Sequence, residues 1–149
     1  MKHKGIWVLP GLLVLAADRL VKALTDGVDQ VLIPGVIALR STRNTGMALG
    51  LMQDRPYLIL ASSVLLLSLC LWLLRDVRPG GLAAASLSMI VGGALGNMID
   101  RVAFGYVMDM FDLLFMEFYI FNVADVGVVT GAVLCGVSLL FRPQDWSKK

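Results

Sequence analysis

The chain has 149 residues, of which 58% are hydrophobic and 16% are charged, and its net charge is +2. A soluble domain is about 45–50% apolar and about 25% charged, so this composition is typical of a membrane protein. The net charge is too small to suggest nucleic acid as a partner, and the basic residues are spread along the chain rather than clustered. The single histidine, His3, and two cysteines in apolar runs, Cys70 and Cys135, argue against a zinc site and against Ser-His or Cys-His catalysis.

Four apolar segments are each close to the roughly 20 residues that a membrane-crossing helix needs. They cover approximately residues 5–24, 57–74, 80–99 and 118–141. The short flanks that share one side of such a bundle are basic, and the positive-inside rule makes that side cytoplasmic. We therefore predict an α-helical membrane protein with four transmembrane helices, both termini in the cytoplasm and a single integral-membrane domain, residues 1–149.

The connection between the first two spans predicts a small β structure. Pro34-Gly35 is a turn signal between the β-forming residues 31–33 and 36–39. A hairpin of this size has too few strands to fold alone. We therefore predict an extended platform, approximately residues 25–56, that lies on the outer membrane surface and packs against the helices.

Small residues recur every four positions on the third and fourth segments. They are Ser88, Gly92 and Gly96 on the third, and Gly127 and Gly131 on the fourth. Such faces let helix backbones approach closely in lipid, where no hydrophobic drive brings helices together. This spacing predicts close helix–helix contacts on both segments.

Asp125 is the only charged residue in the apolar segment 118–141. An ionised carboxylate at membrane depth costs about 2.5–3.5 kcal/mol on insertion scales, so it marks a candidate functional site. If the fourth helix begins near Phe118, this carboxylate lies about 10 Å below the outer surface. A second candidate, Asp109, lies in the connection just upstream.

Other polar groups are predicted at the same level of the membrane. Asn97 and Asp100 are three residues apart and so share one face of the third helix. Asn122 has the same spacing from the aspartate of the fourth helix. Asp18 and Lys22, four residues apart on the first helix, are predicted to form an ion pair. Convergence of these groups at one depth indicates a site.

Two carboxylates a few ångströms apart cannot both ionise cheaply, so one of them keeps a proton. The ionised partner can then activate a water while the protonated one polarises a carbonyl, as in aspartic proteases. Composition and spacing alone leave a hydrolase and an ion or proton site equally open. The alternatives are a proton-coupled transporter that uses Asp18, Asp100 and Asp125 as a relay, and a purely structural membrane scaffold.

Four blocks of sequence resemble a known family when they are taken in chain order. They are RNTGMA at residues 43–48, GGALGNMIDR at 92–101, FGYVMD at 104–109 and FNVAD at 121–125. Together they resemble the signature blocks of lipoprotein signal peptidase, also called signal peptidase II. Asp18 and Lys22 fit the D-x-x-x-K element of the same family, and the resemblance covers nearly the whole chain.

The resemblance implies a metal-free, cofactor-free aspartyl endopeptidase of the bacterial cytoplasmic membrane, with its active site toward the outer face. Such an enzyme cleaves the signal peptide from prolipoproteins, immediately before a cysteine that already carries diacylglycerol. It also implies a monomer in contact with membrane lipid, and inhibition by globomycin-type peptides.

Carried over block by block, the catalytic pair is Asp109 and Asp125. Asp100 is the main rival for the second catalytic role, and we rank it lower because the adjacent Arg101 is expected to hold it ionised. The supporting or substrate-contacting positions implied by the resemblance are Asn44, Gly46, Asn97, Asp100, Arg101, Asn122, Asp18 and Lys22.

The chain departs from the family pattern at three positions. The family usually has alanine and phenylalanine after the NxG glycine, where this chain has Met47 and Leu49. It commonly has a polar or small residue after the FNxAD aspartate, where this chain has Val126. These departures affect the expected substrate fit and platform packing more than the chemistry.

Overall fold

The computed structural model describes residues 6–46 and 55–148. Met47 and Leu49 lie outside the described residues. The four helices are α1 (Leu9–Thr25), α2 (Pro56–Leu73), α3 (Gly81–Phe104) and α4 (Val123–Phe141). The strands are β1 (Asp29–Ile33), β2 (Ile37–Asn44), β3 (Val77–Pro79), β4 (Val107–Leu113) and β5 (Trp146–Lys148). Short 3-10 turns precede α1 at Ile6–Val8 and follow α4 at Pro143–Asp145.

Local sequence signals explain where α3 ends and where α4 begins. α3 continues to Phe104, past the predicted end at residue 99, and stops at Gly105, whose φ of 78° is left-handed and suits a residue without Cβ. α4 begins at Val123 because Asn122 caps it in a capping box with Asp125. The predicted start near Phe118 is therefore wrong, and Asp125 lies in the first turn of the helix rather than about two turns inside it.

Two of the described helices, α3 and α4, are long and apolar enough to cross a membrane by length and composition. α2 contains a shorter apolar helix, Tyr57–Trp72. α1 has 17 residues and carries charged side chains in its second half. The prediction of four transmembrane helices with cytoplasmic termini stays a prediction beyond these two spans.

α3 packs closely against α1 on one side and α4 on the other, and small residues make this possible. A Cβ on Gly92 would collide with the backbone of Gly11 on α1. A Cβ on Gly131 of α4 would lie 2.8 Å from the backbone oxygen of Ser86 on α3. The close helix contacts predicted from the four-residue spacing are confirmed at these positions.

The platform is an antiparallel three-stranded sheet in the order β1-β2-β4. Pro34 and Gly35 turn the chain between β1 and β2, as predicted, and Gly35 has a φ of 71°. The third strand, β4, comes from the connection between α3 and α4 and was not predicted. Its pairing with β2 places Thr42 opposite Asp109 and so holds that carboxylate beside the helix ends.

A second, two-stranded sheet lies at the other end of α4, where β5 pairs with β3. Asp145 fixes this junction because its Oδ2 accepts a hydrogen bond of 2.8 Å from the backbone N–H of Leu82, at the start of α3. The side chain of Trp146 also donates to the Ser138 hydroxyl at 3.1 Å. This small sheet ties the end of α4 to the connection between α2 and α3.

Candidate active site

Four elements meet at the end of the bundle that carries the platform. The second halves of α1 and α3, strand β4 and the start of α4 bring polar side chains into one interior region. These buried polar side chains are Asp18, Lys22, Asp100, Asp109 and Asn122. Buried polar groups must find partners, because an unsatisfied one costs about 1–3 kcal/mol, and here they do so mostly with one another.

Asp109 projects from β4 and is only 2% exposed. Its Oδ2 accepts a hydrogen bond of 2.8 Å from the amide of Asn44, and its Oδ1 accepts one of 2.6 Å from the amide of Asn122. Burial disfavours the charged form and raises the pKa of Asp109 to about 6, although both amide hydrogen bonds oppose the shift. This carboxyl group can therefore gain or lose a proton near neutral pH.

Asp125 is the third residue of α4 and is held by two donors. Its Oδ1 accepts from the side-chain amide of Asn97 on α3 at 2.7 Å. Its Oδ2 accepts from the backbone N–H of Asn122 at 3.2 Å, which is one half of the capping box. In the other half, the backbone N–H of Asp125 donates to the Asn122 side-chain oxygen at 2.9 Å.

Asn122 links the two carboxylates. Its side-chain NH₂ donates to Asp109 and also to the side-chain oxygen of Asn97 at 3.1 Å. Its side-chain oxygen is meanwhile used in capping Asp125. A single amide thus fixes the carboxyl group of β4 relative to that of α4.

Both carboxylates line one cavity of about 280 Å³. Its walls come from the end of β2, α2, α3, β4, the segment before α4, and α4 itself. The polar lining residues include Asn44, Ser63, Asn97, Arg101, Asp109 and Asp125, and the apolar ones include Ala94, Met98, Ile120, Val128 and Val129. The cavity therefore combines two acids with an apolar wall, which suits a substrate that has both a peptide bond and apolar groups.

Behind this cavity lies a cluster of four charges from α1 and α3. The Lys22 ammonium lies 2.9 Å from Asp18 and 2.7 Å from Asp100, so the predicted Asp18–Lys22 ion pair is confirmed. Arg19 lies 2.7 Å from Asp18 and 2.6 Å from Asp100. Both aspartates are committed to ion pairs with the same two cations.

The expected partner of Asp100 was therefore wrong. The cations that contact its carboxylate are Arg19 and Lys22, whereas the Arg101 guanidinium donates to the backbone oxygens of Gly46, at 3.2 Å, and Asn97, at 3.4 Å. Residues on consecutive positions of a helix point in different directions, so adjacency in sequence does not imply contact. Asp100 is nonetheless occupied by ion pairs, as the ranking of Asp100 below Asp125 required.

The structure also locates the remaining sequence-based candidates and adds one that was missed. The Asn44 side-chain oxygen accepts from the backbone N–H of Gly46 at 2.9 Å, which places both at the cavity. Val126 is exposed on α4. The sequence analysis did not predict Arg19 as a member of this charge cluster. Its position next to Asp18, in the same apolar segment as Lys22, was a signal that could have identified it.

Known proteins match this chain along most of its length. The family model described as signal peptidase (SPase) II matches residues 11–141. The lipoprotein signal peptidase of Halothermothrix orenii is 38% identical over 128 residues, which cover 83% of this chain and 87% of that protein. The lipoprotein signal peptidase of Lactobacillus johnsonii is 31% identical over 144 residues, which cover 93% and 94% of the two chains.

Solved structures give the same picture. A bacterial membrane enzyme determined by the in meso method at 2.3 Å resolution matches with a TM-score of 0.83 and 27% identity, over 99% of this chain and 94% of that chain. A second, determined at 1.9 Å resolution, matches with a TM-score of 0.79 and 28% identity, over 94% and 96% of the two chains.

The fold, with its two long apolar helices, and this structural likeness define the class as a membrane enzyme. The chain belongs to the signal peptidase II family, which confirms the resemblance drawn from the four sequence blocks.

Proposed function

We propose that this protein is an aspartyl endopeptidase that removes the signal peptide from diacylglyceryl-modified prolipoproteins. It cleaves immediately before the lipidated cysteine. Membership of the signal peptidase II family supports the substrate class. The observation that carries the mechanism is that Asp109 and Asp125 line one cavity and are joined through Asn122.

In the proposed reaction the two carboxyl groups share one proton. The ionised member takes a proton from a water in the cavity, and the water oxygen attacks the carbonyl carbon before the cysteine. The protonated member donates a hydrogen bond to the carbonyl oxygen, where negative charge develops. The C–N bond then breaks, and the amino group of the cysteine leaves with a proton from the acid pair. A pKa of about 6 for Asp109 suits such an exchange near neutral pH.

The amide residues around the acids act as orienting groups in this proposal. Asn44 holds one oxygen of Asp109, and Asn97 holds one oxygen of Asp125. Each amide NH₂ donates to one carboxylate oxygen and so fixes the orientation of that carboxylate. The remaining lone pairs of the carboxylate stay available for water or substrate. Arg101 and Gly46, which hydrogen-bond each other, border the cavity where the substrate backbone would lie.

We further propose that the protein spans the bacterial inner membrane four times as a monomer, with the active site toward the outer face. The cavity wall formed by α2 and α4 then opens toward lipid, so that a signal helix and its neighbouring acyl chains reach the acids sideways. Val129 lines the cavity and is also 60% exposed on α4, which supports a continuous apolar path. A globomycin-type peptide would occupy the same cavity.

The proton-relay alternative is disfavoured by the pairing of its proposed carriers. Asp18 and Asp100 each contact both Lys22 and Arg19. Both carboxylates are thus committed to buried ion pairs, and a relay that breaks these pairs would leave buried charges without partners.

The test compares Asp109→Asn and Asp125→Asn with Asp112→Asn in a gel-shift assay of a diacylated precursor. General acid–base catalysis contributes about 10²–10⁴-fold to rate, so each of the first two variants is expected to lose at least about 100-fold in cleavage. Asp112 lies on the same strand, β4, and pairs with Arg40 at 2.6 Å. Its asparagine variant is expected to cleave at the wild-type rate. Near-wild-type turnover by either Asp109→Asn or Asp125→Asn would remove that aspartate from the chemistry.

A further inference from the structure

A second pair of acids stands directly behind the proposed catalytic pair. The backbone N–H of Ala124 donates to Asp18 at 3.0 Å, and the backbone N–H of Met108 donates to Asp100 at 3.3 Å. Each donor is the residue immediately before a candidate catalytic aspartate. The separation of Asp18 and Asp100 therefore helps to set the separation of the backbone segments that carry the reacting carboxylates.

Lys22 joins this second pair to the site. Its ammonium group lies between Asp18 and Asp100 and also donates to the side-chain oxygen of Asn97 at 3.3 Å. Because an ammonium group has three donors and no acceptor, it requires the amide of Asn97 to present its oxygen. The NH₂ of that amide then faces Asp125, to which it donates at 2.7 Å.

We infer that Lys22 is a positioning residue of this active site. Its single ammonium group holds the two aspartates that anchor the backbone before each catalytic carboxylate, and it turns Asn97 so that its NH₂ points to Asp125. Lys22 is only 5% exposed and acts through these groups rather than on the peptide bond. The inference rests on the proposed aspartyl mechanism.

Arg19 provides an internal comparison because it contacts the same two aspartates. Its remaining described hydrogen bond goes to the backbone oxygen of Gly96, at 3.1 Å. Its side chain is 31% exposed, and the described contacts do not connect it to an amide of the site. Arg19 thus shares the ion pairs of Lys22 without sharing its link to Asn97.

The charge of Lys22 gives the inference a pH signature. The charged groups that act on Asp109 are Asp125 from α4, Lys22 from α1 and Arg101 from α3, while β2 supplies the neutral amide of Asn44. Burial raises the pKa of Asp109, and the positive charge of Lys22 opposes that rise. Loss of the charge therefore moves the protonation of Asp109 to higher pH.

The experiment measures kcat, KM and their pH dependence for Lys22→Met and Arg19→Met with a diacylated precursor peptide in detergent. Misplacement of a reacting group by about 1 Å can cost about 100-fold in rate, so Lys22→Met is expected to lose up to about 100-fold in kcat with a smaller change in KM. Its pH profile of kcat/KM is expected to move to higher pH. Arg19→Met is expected to lower the Tm while its profile stays at the wild-type pH.

A purely structural role of Lys22 predicts the opposite pattern. The inference is overturned if Lys22→Met lowers the Tm and keeps the wild-type pH profile, as expected for Arg19→Met. Lys22→Gln serves where Lys22→Met does not accumulate, because glutamine lacks the charge but keeps an NH₂ donor on a side chain one atom shorter. The pH profile of this variant must also move upward. Activity in Asp109→Asn or Asp125→Asn would instead overturn the aspartyl mechanism itself, so the two failures are distinguishable.

Discussion

Asn122 has two functions that a substitution can separate. Its side-chain oxygen caps α4, and its side-chain NH₂ donates to Asp109. Serine is about as good an N-cap as asparagine, whereas alanine lacks any side-chain acceptor. Neither serine nor alanine offers the NH₂ group that reaches the carboxylate.

We therefore expect Asn122→Ser and Asn122→Ala to lose precursor cleavage to a similar extent. They should differ in stability, because loss of an N-cap costs about 1 kcal/mol. Thermal unfolding in detergent, measured beside the cleavage rate, checks both expectations. Full activity in Asn122→Ser would show that the cap alone matters and that the bond to Asp109 does not.

At the scale of single residues, the sequence predicted the members of the site better than it predicted their individual contacts. Asp125 could be identified because a single charge in an apolar segment is energetically costly and so indicates a functional site. The partners of Asp100 could not be read the same way. They are set by the rotation of α1 against α3, which brings Arg19 and Lys22 to it, and no local pattern encodes that rotation.

Substitution of two glycines tests whether the helix packing depends on close contact between helix backbones. A Cβ on Gly92 of α3 would meet the backbone of Gly11 on α1. A Cβ on Gly136 of α4 would have no heavy atom within 4 Å. The two positions thus allow the same substitution in a close contact and in open space.

Gly92→Ala is expected to destabilise the protein by about 1–3 kcal/mol, the usual cost of overpacking, because backbone cannot move aside as a flexible side chain can. Gly136→Ala is expected to be neutral or to stabilise by up to about 1 kcal/mol, since alanine has the better helix propensity. Thermal unfolding of both variants in the same detergent makes the comparison. Equal Tm values for the two would contradict the packing of α1 against α3.

At the scale of elements, the apolar runs and the Pro34-Gly35 turn were enough to predict the helices and the first hairpin. Strand β4 was missed because it pairs with β2, a partner more than sixty positions away, within a connection that carries no turn signal of its own. The start of α4 was misplaced because the apolar residues before Asn122 look like helix by composition. The spacing of Asn122 and Asp125 is a capping-box pattern and was the signal that could have corrected it.

The whole molecule has two unlike ends. The three-stranded sheet and the buried acids lie where α4 begins, and the two-stranded sheet lies where α4 ends. α4 has 19 residues. At 1.5 Å per residue its length is about 28 Å, close to the roughly 30 Å of a hydrocarbon core. If α4 crosses the membrane, the two sheets must therefore lie on opposite sides of it.

Cysteine labelling tests this arrangement and its direction. In a chain with Cys70 and Cys135 replaced by alanine, the introduced thiol is the only one. Gln30, on β1, and Gln144, just after α4, are both exposed and accept a cysteine without loss of a described contact. A membrane-impermeant maleimide is then applied to intact cells and to permeabilised cells.

Gln30→Cys is expected to label in intact cells, and Gln144→Cys only after permeabilisation. The reason is electrostatic, because the flank that contains Arg142 and Lys148 is basic and basic flanks stay in the cytoplasm. The reverse pattern would turn the proposed active site toward the cytoplasm and contradict its predicted position toward the outer face. Labelling of both sites in intact cells would mean that α4 does not cross the membrane at all, and the proposed sideways path from lipid to the acids would be lost with it.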